Sequence, residues 1–346
     1  MSYIRSGHIA GTVAVIMTTA SSFTATAQES VQSEAVDVSN YVPSELAYKQ
    51  AARVYGFLYG QHRAAETLSS QYPQLAGQLS SLEQQFAATY GWPEARAKAL
   101  VATLSHSAIS DLHKKHLSKV DQAMARRFSA QEATTFASEL QGRLEGKIDP
   151  EVLKNILWLK YASRPVAEMV DGYTVRYNSS NHPKSKGIEF SLSAPISWRQ
   201  VEGDRPNTVQ QWTSQNGSGD MSFSVLVKSS EELRGITEKD VEDLVAQGGA
   251  RDFLGAADEL IASKFVHIDG APTVMIDAAI TREMIGKEIG MQTRIYNIFQ
   301  DAALLQLNCS VGRPVQERTI AVKRFSMVKD LCDRVAISFS IANRYQ

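Results

Sequence analysis

The chain has 346 residues, of which 43% are hydrophobic and 21% are charged, and its formal net charge is −1. This balance is typical of a globular protein long enough for two domains, and it excludes wholesale disorder and collagen-like repeats. A near-neutral charge without a basic stripe argues against nucleic acid as a partner. The longest apolar run is too short for a stable transmembrane anchor.

Residues 1–27 have the organisation of a signal peptide. Arg5 precedes an apolar run at 9–20, and Ala25-Thr26-Ala27 fits the small-x-small pattern of a cleavage site. Cleavage near Ala27 would place the mature chain in the periplasm or outside the cell, without a transmembrane anchor. A retained N-terminal anchor is the alternative interpretation.

Residues 28–43 are polar and aperiodic and are predicted to be a disordered leader. Residues 44–171 are then predicted to form a bundle of about five helices. Ser44 is a good N-cap, Ser129 with Glu132 makes a capping box, and Asp149-Pro150 starts another helix. Helical spacing covers 44–71, 74–89, 94–117, 119–127, 130–145 and 150–161.

Residues 172–346 change to alternating apolar and polar positions, which indicate strands. Asp269-Gly270 is a tight hairpin signal between two of them. Because the strands follow one another through hairpins, the sequence predicts an α+β domain with an antiparallel sheet covered by helices. The predicted strands are 173–175, 188–192, 208–213, 221–227, 262–267, 273–282, 287–300 and 303–311, and the predicted helices are 237–254 and 320–337.

Three segments of this half carry a family resemblance: GIEFSLSAPISW at Gly187–Trp198, the run Glu202–Val227, and IYNIFQDAALLQLNCSVG at Ile295–Gly312. They resemble PsbP-like domains, including secreted bacterial members of the DcrB type, over roughly 172–346. The resemblance implies an antiparallel sheet sandwiched by helices that acts as an interaction or accessory module. That group has no common set of catalytic residues, so none is transferred, and the helical half has no assigned family.

The two cysteines, Cys309 and Cys332, lie in a predicted strand and a predicted helix. An oxidising compartment would allow a disulfide between them. A helix packs about 10 Å from a sheet, whereas bridged Cα atoms are under about 7 Å apart, so the geometry is demanding. Two buried thiols are the alternative.

The best metal candidate is the triplet His106, His113 and His116, whose spacing places all three within one broad helical arc. Three imidazoles could hold Zn²⁺ with water as a fourth ligand. The histidines could equally border the helical core, and the neighbouring Lys114 and Lys115 disfavour a cation. The sequence therefore predicts no metal and no cofactor.

The most suggestive binding feature is the set Trp198, Arg205 and Trp212, which are residue types enriched at interface hot spots. Glu202–Pro206 is a turn that could display Arg205. The alternative is that both tryptophans fill the space between sheet and helix.

No catalytic motif stands out, since GxSxG and HExxH are absent and the SxxK at Ser326–Lys329 lacks its partner motifs. The sequence therefore favours a secreted, non-enzymatic accessory protein that binds another envelope protein or complex. A periplasmic module for a small ligand or lipid is the alternative, and a hydrolase or metal enzyme is less favoured.

Overall fold

The computed structural model describes residues 44–103, 108–284 and 286–342. The predicted signal peptide and leader, 1–43, lie outside the described residues. Helices make up the first half of the described chain: α1 Glu45–Gln71, α2 Pro73–Tyr90, α3 Pro93–Ala102, α4 Ala108–Met124, α5 Ala130–Leu144, α6 Pro150–Tyr161 and α7 Val166–Val170.

The predicted helix starts are confirmed because the capping side chains make their bonds. The Ser44 hydroxyl accepts from the Ala47 N–H, and Ser129 with Glu132 forms a complete capping box. The Asp149 carboxylate accepts from two N–H groups of the first turn of α6. The long helix α1 packs against α2, α3, α4 and α6, so it is the central element of the helical part.

Two predicted helices, 94–117 and 119–127, are wrong in their limits. Helix α3 ends at Ala102, where both the backbone N–H and the hydroxyl of Thr103 bond to the carbonyl of Leu100. Helix α4 then continues without a break to Met124, because no Pro or Gly interrupts that segment. The short helix α7 was not predicted.

The second half of the described chain forms antiparallel sheets, as predicted, and the α+β fold class is confirmed. The strands are β1 Thr174–Asn178, β2 Phe190–Pro195, β3 Arg199–Glu202, β4 Thr208–Thr213, β5 Met221–Ser229, β6 Glu259–Ile268, β7 Ala271–Met284, β8 Lys287–Gln300, β9 Ala303–Pro314 and β10 Ser340–Ile341. One sheet has the order β1-β2-β10, and the larger has the order β3-β4-β5-β9-β8-β7-β6.

Two further helices cover the large sheet. Helix α8, Glu238–Ala246, contacts β6 and β7, and helix α9, Arg318–Ile337, contacts β8 and β9. The main core of this half lies beneath α9 and includes Trp212, Phe223 and Leu305.

The described helices and sheets belong to one compact unit. A domain boundary at 171/172 therefore stays a prediction. Within the described ranges, no helix combines the length and apolar character needed to cross a bilayer.

Candidate functional site

A groove of about 840 Å³ lies where the helices meet the sheets. Helices α1 and α6 form one wall, and β1, β3 and the turn between β2 and β3 form the other. Its apolar lining consists of Leu46, Val175, Ile196 and Trp198, and its polar and charged lining is Lys49, Gln50, Arg53, Glu151, Lys154, Asn155, Thr174, Arg199, Gln200 and Asn216.

A network of buried amides forms the base of the groove. Asn216 donates from Nδ2 to Glu151 Oε2 at 2.9 Å and to Asn155 Oδ1 at 3.4 Å. Gln50 donates from Nε2 to the Asn216 carbonyl at 3.1 Å and accepts from Ser218 Oγ at 2.9 Å. These bonds tie the loop between β4 and β5 to α1 and α6, so the groove has a fixed base.

Asn216 can make these bonds because its backbone is in the left-handed region, with φ 48°. Asparagine tolerates this conformation better than most residues. The backbone N–H of Asn216 also donates to the carbonyl of Ser197, at 2.8 Å. The amide network thus continues into the turn that separates β2 from β3.

Ser197 connects the groove to a buried carboxyl group on α7. Its N–H and its hydroxyl donate to the two oxygens of Glu168, at 2.7 Å and 2.6 Å. Glu168 is 1% exposed, and this burial raises its pKa to about 7 despite the hydrogen bonds, which lower it. Because Ile196 and Trp198 flank Ser197, this carboxyl group positions two apolar side chains of the groove.

The rim of the groove is mainly basic. Lys49 and Lys154 pair with Glu45 and Glu151 at 2.6 Å and 2.7 Å, and Arg53 lies 3.6 Å from Asp149. Hydrogen bonds from Lys154 and Asn216 lower the pKa of Glu151. Arg199 is exposed, and in the described part of the chain it has no ion-pair partner.

The predicted hot-spot residues do not form one exposed surface. Trp212 is 0% exposed and stacks on Phe223 at 4.6 Å between ring centroids, and Trp198 is 4% exposed and lies 5.1 Å from the same ring. Both indoles fill the core, which was the alternative interpretation, although Trp198 also lines the groove. Arg205 is exposed in the turn between β3 and β4 and does not line the groove.

Cys309 and Cys332 are joined by a disulfide, with Cα atoms 5.9 Å apart. This separation lies within the usual range for bridged cysteines, so the two elements meet the geometric requirement. The bridge ties the covering helix to the centre of the large sheet and leaves no free thiol among the described residues.

The histidine triplet is only partly described, since His106 lies outside the described residues. His113 is buried against Tyr55, with 5.1 Å between ring centroids, and its pKa is lowered by burial and by nearby His116. His116 is exposed. In the described ranges, no three His, Cys, Asp or Glu side chains are placed to hold a metal ion.

A second group of charges, of which Arg294 and Asp277 are buried, lies between the large sheet and α9. Arg294 binds both oxygens of Asp277, at 2.8 Å and 2.9 Å, and also binds Asp333 at 2.6 Å. Lys329 adds a contact of 3.0 Å to Asp277. Burial would raise the pKa of Asp277, but the bonds from Arg294 and Lys329 together lower it. These ion pairs therefore join α9 to strands β7 and β8.

Sequence reasoning missed the groove because its lining residues are scattered from position 46 to position 216. Three of them, Gln50, Asn155 and Asn216, have no local signal beyond being polar residues in amphipathic or turn segments. The one usable signal was the sequence Gln215-Asn216-Gly217, which favours a left-handed turn.

Comparison of the fold with solved structures finds similar chains of low sequence identity. CyanoP, the PsbP protein of Synechocystis sp. PCC 6803, is 18% identical over 49% of this chain and 92% of its own, with a TM-score of 0.31. LpqN of Mycobacterium tuberculosis, which is involved in cell envelope biogenesis, is 11% identical over 50% of this chain and 93% of its own, with a TM-score of 0.31.

The similar structures thus include a PsbP protein, the family that the sequence resemblance named. The similarity covers about half of this chain. No protein-family model and no curated protein matches the sequence. At these identities and TM-scores, the similarities say nothing about the activity or partners of this chain.

Proposed function

We propose that this chain is an exported, non-enzymatic accessory protein that binds another envelope protein through the groove between α1, α6, β1 and β3. The observation that carries this proposal is the groove itself, in which partly exposed apolar side chains lie under a basic rim. Apolar contact area surrounded by charge is the usual composition of a protein-binding surface.

Two features support export. The N-terminal 27 residues have a signal-peptide pattern, and the Cys309–Cys332 disulfide suits an oxidising compartment. Cell fractionation tests this part, and we expect the chain in the periplasm or the medium, shortened near Ala27. A full-length chain in the cytosol would contradict the proposal.

Photo-crosslinking in the native cell tests the binding surface. We place p-benzoylphenylalanine at Gln200, which is exposed in the groove, and in a matched variant at Lys264, which is exposed on β6 at the opposite edge of the large sheet. A discrete crosslinked protein from Gln200 alone is the expected result. Equal products from both positions, or none from Gln200, would contradict the assignment of the groove.

A small amphiphile is the second candidate occupant, because Leu46, Ile196 and Trp198 give the groove an apolar lining. Native mass spectrometry of the exported protein distinguishes the two candidates. A stoichiometric bound small molecule that is lost on Trp198→Ala substitution would favour a ligand-binding module over a protein-binding one.

A further inference from the structure

We propose that the groove takes an extended acidic segment of the partner protein, which adds as a strand to the open edge of β1; this inference rests on the proposed function. Strand addition uses backbone hydrogen bonds for affinity and alternate side chains for specificity. Three features of the groove argue for it: a strand edge and a positive charge, each without a partner among the described residues, and an apolar lining.

The open edge is the first feature. Among the described strands, β1 bonds only to β2. Tyr173 O accepts from Ile196 N, and Ser179 N donates to Phe190 O. Because bonded pairs alternate along an antiparallel ladder, odd-numbered residues face β2.

The even-numbered residues of β1 therefore direct their backbone groups away from β2. Thr174 N is already bonded to Gly172 O, which leaves Arg176 and Asn178 to offer backbone groups to an added strand. Thr174 and Val175 line the groove, so an added strand would run from the groove along this edge.

The charge of the groove is the second feature. The lining contains four basic residues but one acidic residue, Glu151. The basic residues are Lys49, Arg53, Lys154 and Arg199. The existing ion pairs of Lys49 and Arg53 are largely exposed, so exchanging their partners for a carboxylate of a bound peptide costs little. Arg199 is available without any such exchange.

The apolar lining of the groove is the third feature. Leu46 and Val175 are each about two-fifths exposed, and the less exposed Ile196 and Trp198 also line the groove. Side chains of an extended peptide alternate between its two faces. A segment with apolar residues on one face and acidic residues beside them would match both the apolar lining and the basic rim of the groove.

The edge of the large sheet at β6 lacks these features. Strand β6 borders no part of the groove, and it carries Lys264 and Glu259 on its exposed length. This contrast makes β6 the internal control for the experiments.

A phage-displayed library of random nonapeptides, selected on the exported protein, is the first probe. We expect enrichment of peptides that combine acidic residues with β-branched or aromatic residues at alternate positions. Enrichment of neutral or basic peptides, or no enrichment above a bait-free control, would overturn the proposal.

The strongest selected peptide is then measured against paired variants by fluorescence anisotropy. Arg176→Pro removes the outward N–H and leaves the ladder to β2 intact, whereas Arg176→Ala removes only the side chain. We expect binding at least about fivefold weaker for the proline variant and within about twofold of wild type for the alanine variant. Equal effects of the two substitutions would overturn strand addition.

The contribution of the groove's positive charge is tested with the variant Arg199→Glu. Its control is Lys264→Glu, which changes the net charge by the same amount at the far edge of the large sheet. We expect binding about tenfold weaker for the first variant and unchanged for the second. Equal losses in both variants would show a nonspecific charge effect and contradict the groove as the site.

Hydrogen exchange of the wild-type protein tests the edge even where Arg176→Pro fails to fold. Saturating peptide should slow exchange of the Arg176 amide about tenfold or more, without a comparable change in β6. Unchanged exchange at Arg176 would contradict strand pairing.

Vesicles of phosphatidylglycerol provide the test for a lipid instead of a peptide. Vesicle binding that is lost in Arg199→Glu and retained in Arg176→Pro, with no selected peptide, would overturn the proposal in favour of an anionic lipid. A Gln200 crosslink to a protein without any effect of Arg176→Pro on that crosslink would remove strand addition alone and leave the proposed function intact.

Discussion

Glu168 illustrates how one buried side chain links the fold to pH. Its carboxyl group accepts two hydrogen bonds from Ser197 and is almost fully buried, and burial raises its pKa to about 7. The unfolded chain has the ordinary value of 4.5. Between these two values the folded state binds more protons than the unfolded state does, so the free energy of unfolding falls as pH rises.

We therefore expect the ionisation of Glu168 to lower the free energy of unfolding as pH increases from about 4.5 to about 7. The decrease should be of the order of 3 kcal/mol. Below that window both states are protonated, and above it both are ionised and the loss is complete. Glu168→Gln resembles the protonated group and should not show this component. Urea unfolding of wild type and variant at several pH values measures the difference between the two slopes.

Glu288→Gln, at an exposed position near the start of β8, is the matched control and should follow the wild-type pH profile. Parallel profiles for wild type and Glu168→Gln would contradict a raised pKa at Glu168.

At the scale of elements, the sequence predicted those helices and strands whose ends or faces carry a local signal. Helix α6 begins at Pro150 and ends at Tyr161 as predicted, since Asp149 caps it. Strand β3 was missed because all four of its residues are exposed, so it has no alternation to detect.

The groove depended on information that is not local. Whether Trp198 faces solvent or the core is decided by Phe223 and α9, which lie elsewhere in the chain. Tryptophan is common both at binding hot spots and in protein cores, so the residue type alone did not decide between the two positions. Similarly, a polar helix residue such as Gln50 is usually exposed. Here Gln50 is buried, because Asn216 and Ser218 supply hydrogen-bond partners for its amide.

The disulfide between β9 and α9 gives the prediction that belongs to this scale. Cys309 and Cys332 are 23 residues apart, and closing a loop of that length in the unfolded chain stabilises the fold by about 3 kcal/mol in the chain-entropy model. We expect reduction to lower the free energy of unfolding by this amount. Urea titrations with and without dithiothreitol measure it.

The double variant Cys309→Ala/Cys332→Ala, measured without reductant, serves as the control. Its free energy of unfolding should lie close to that of the reduced wild type, and it should be lower only because two sulfur atoms are lost from the core. An identical midpoint for oxidised and reduced wild type would contradict a stabilising bridge. Rapid labelling of the native, unreduced protein by a maleimide would contradict the bridge itself.

At the scale of the whole molecule, hydrogen bonds connect the helical part to the sheets through one loop and one turn. Glu168 on α7 holds Ser197, the Ser197 carbonyl holds Asn216, and the Asn216 side chain binds Glu151 and Asn155 on α6. Since the described elements form one compact unit, these bonds should make the helices and sheets unfold together.

We expect Asn216→Gly to lower the stability of both parts equally, by about 1 kcal/mol, because glycine keeps the left-handed backbone and removes only the side-chain bonds. Asn181→Gly is the matched control, since Asn181 also has a positive φ, of 59°, but its side chain is exposed. Far-UV circular dichroism reports the helices, and tryptophan fluorescence reports Trp198 and Trp212 once Trp92 and Trp158 are replaced by Phe.

Coincident transitions for the two probes are the criterion for cooperative unfolding. In Asn216→Gly both midpoints should move together, and in Asn181→Gly neither should move. A fluorescence transition that stays in place while the helical signal shifts would mean that the two parts unfold independently. The groove between them would then be an adjustable gap, and a partner segment would have to bring the two walls together as it binds, at a cost in affinity.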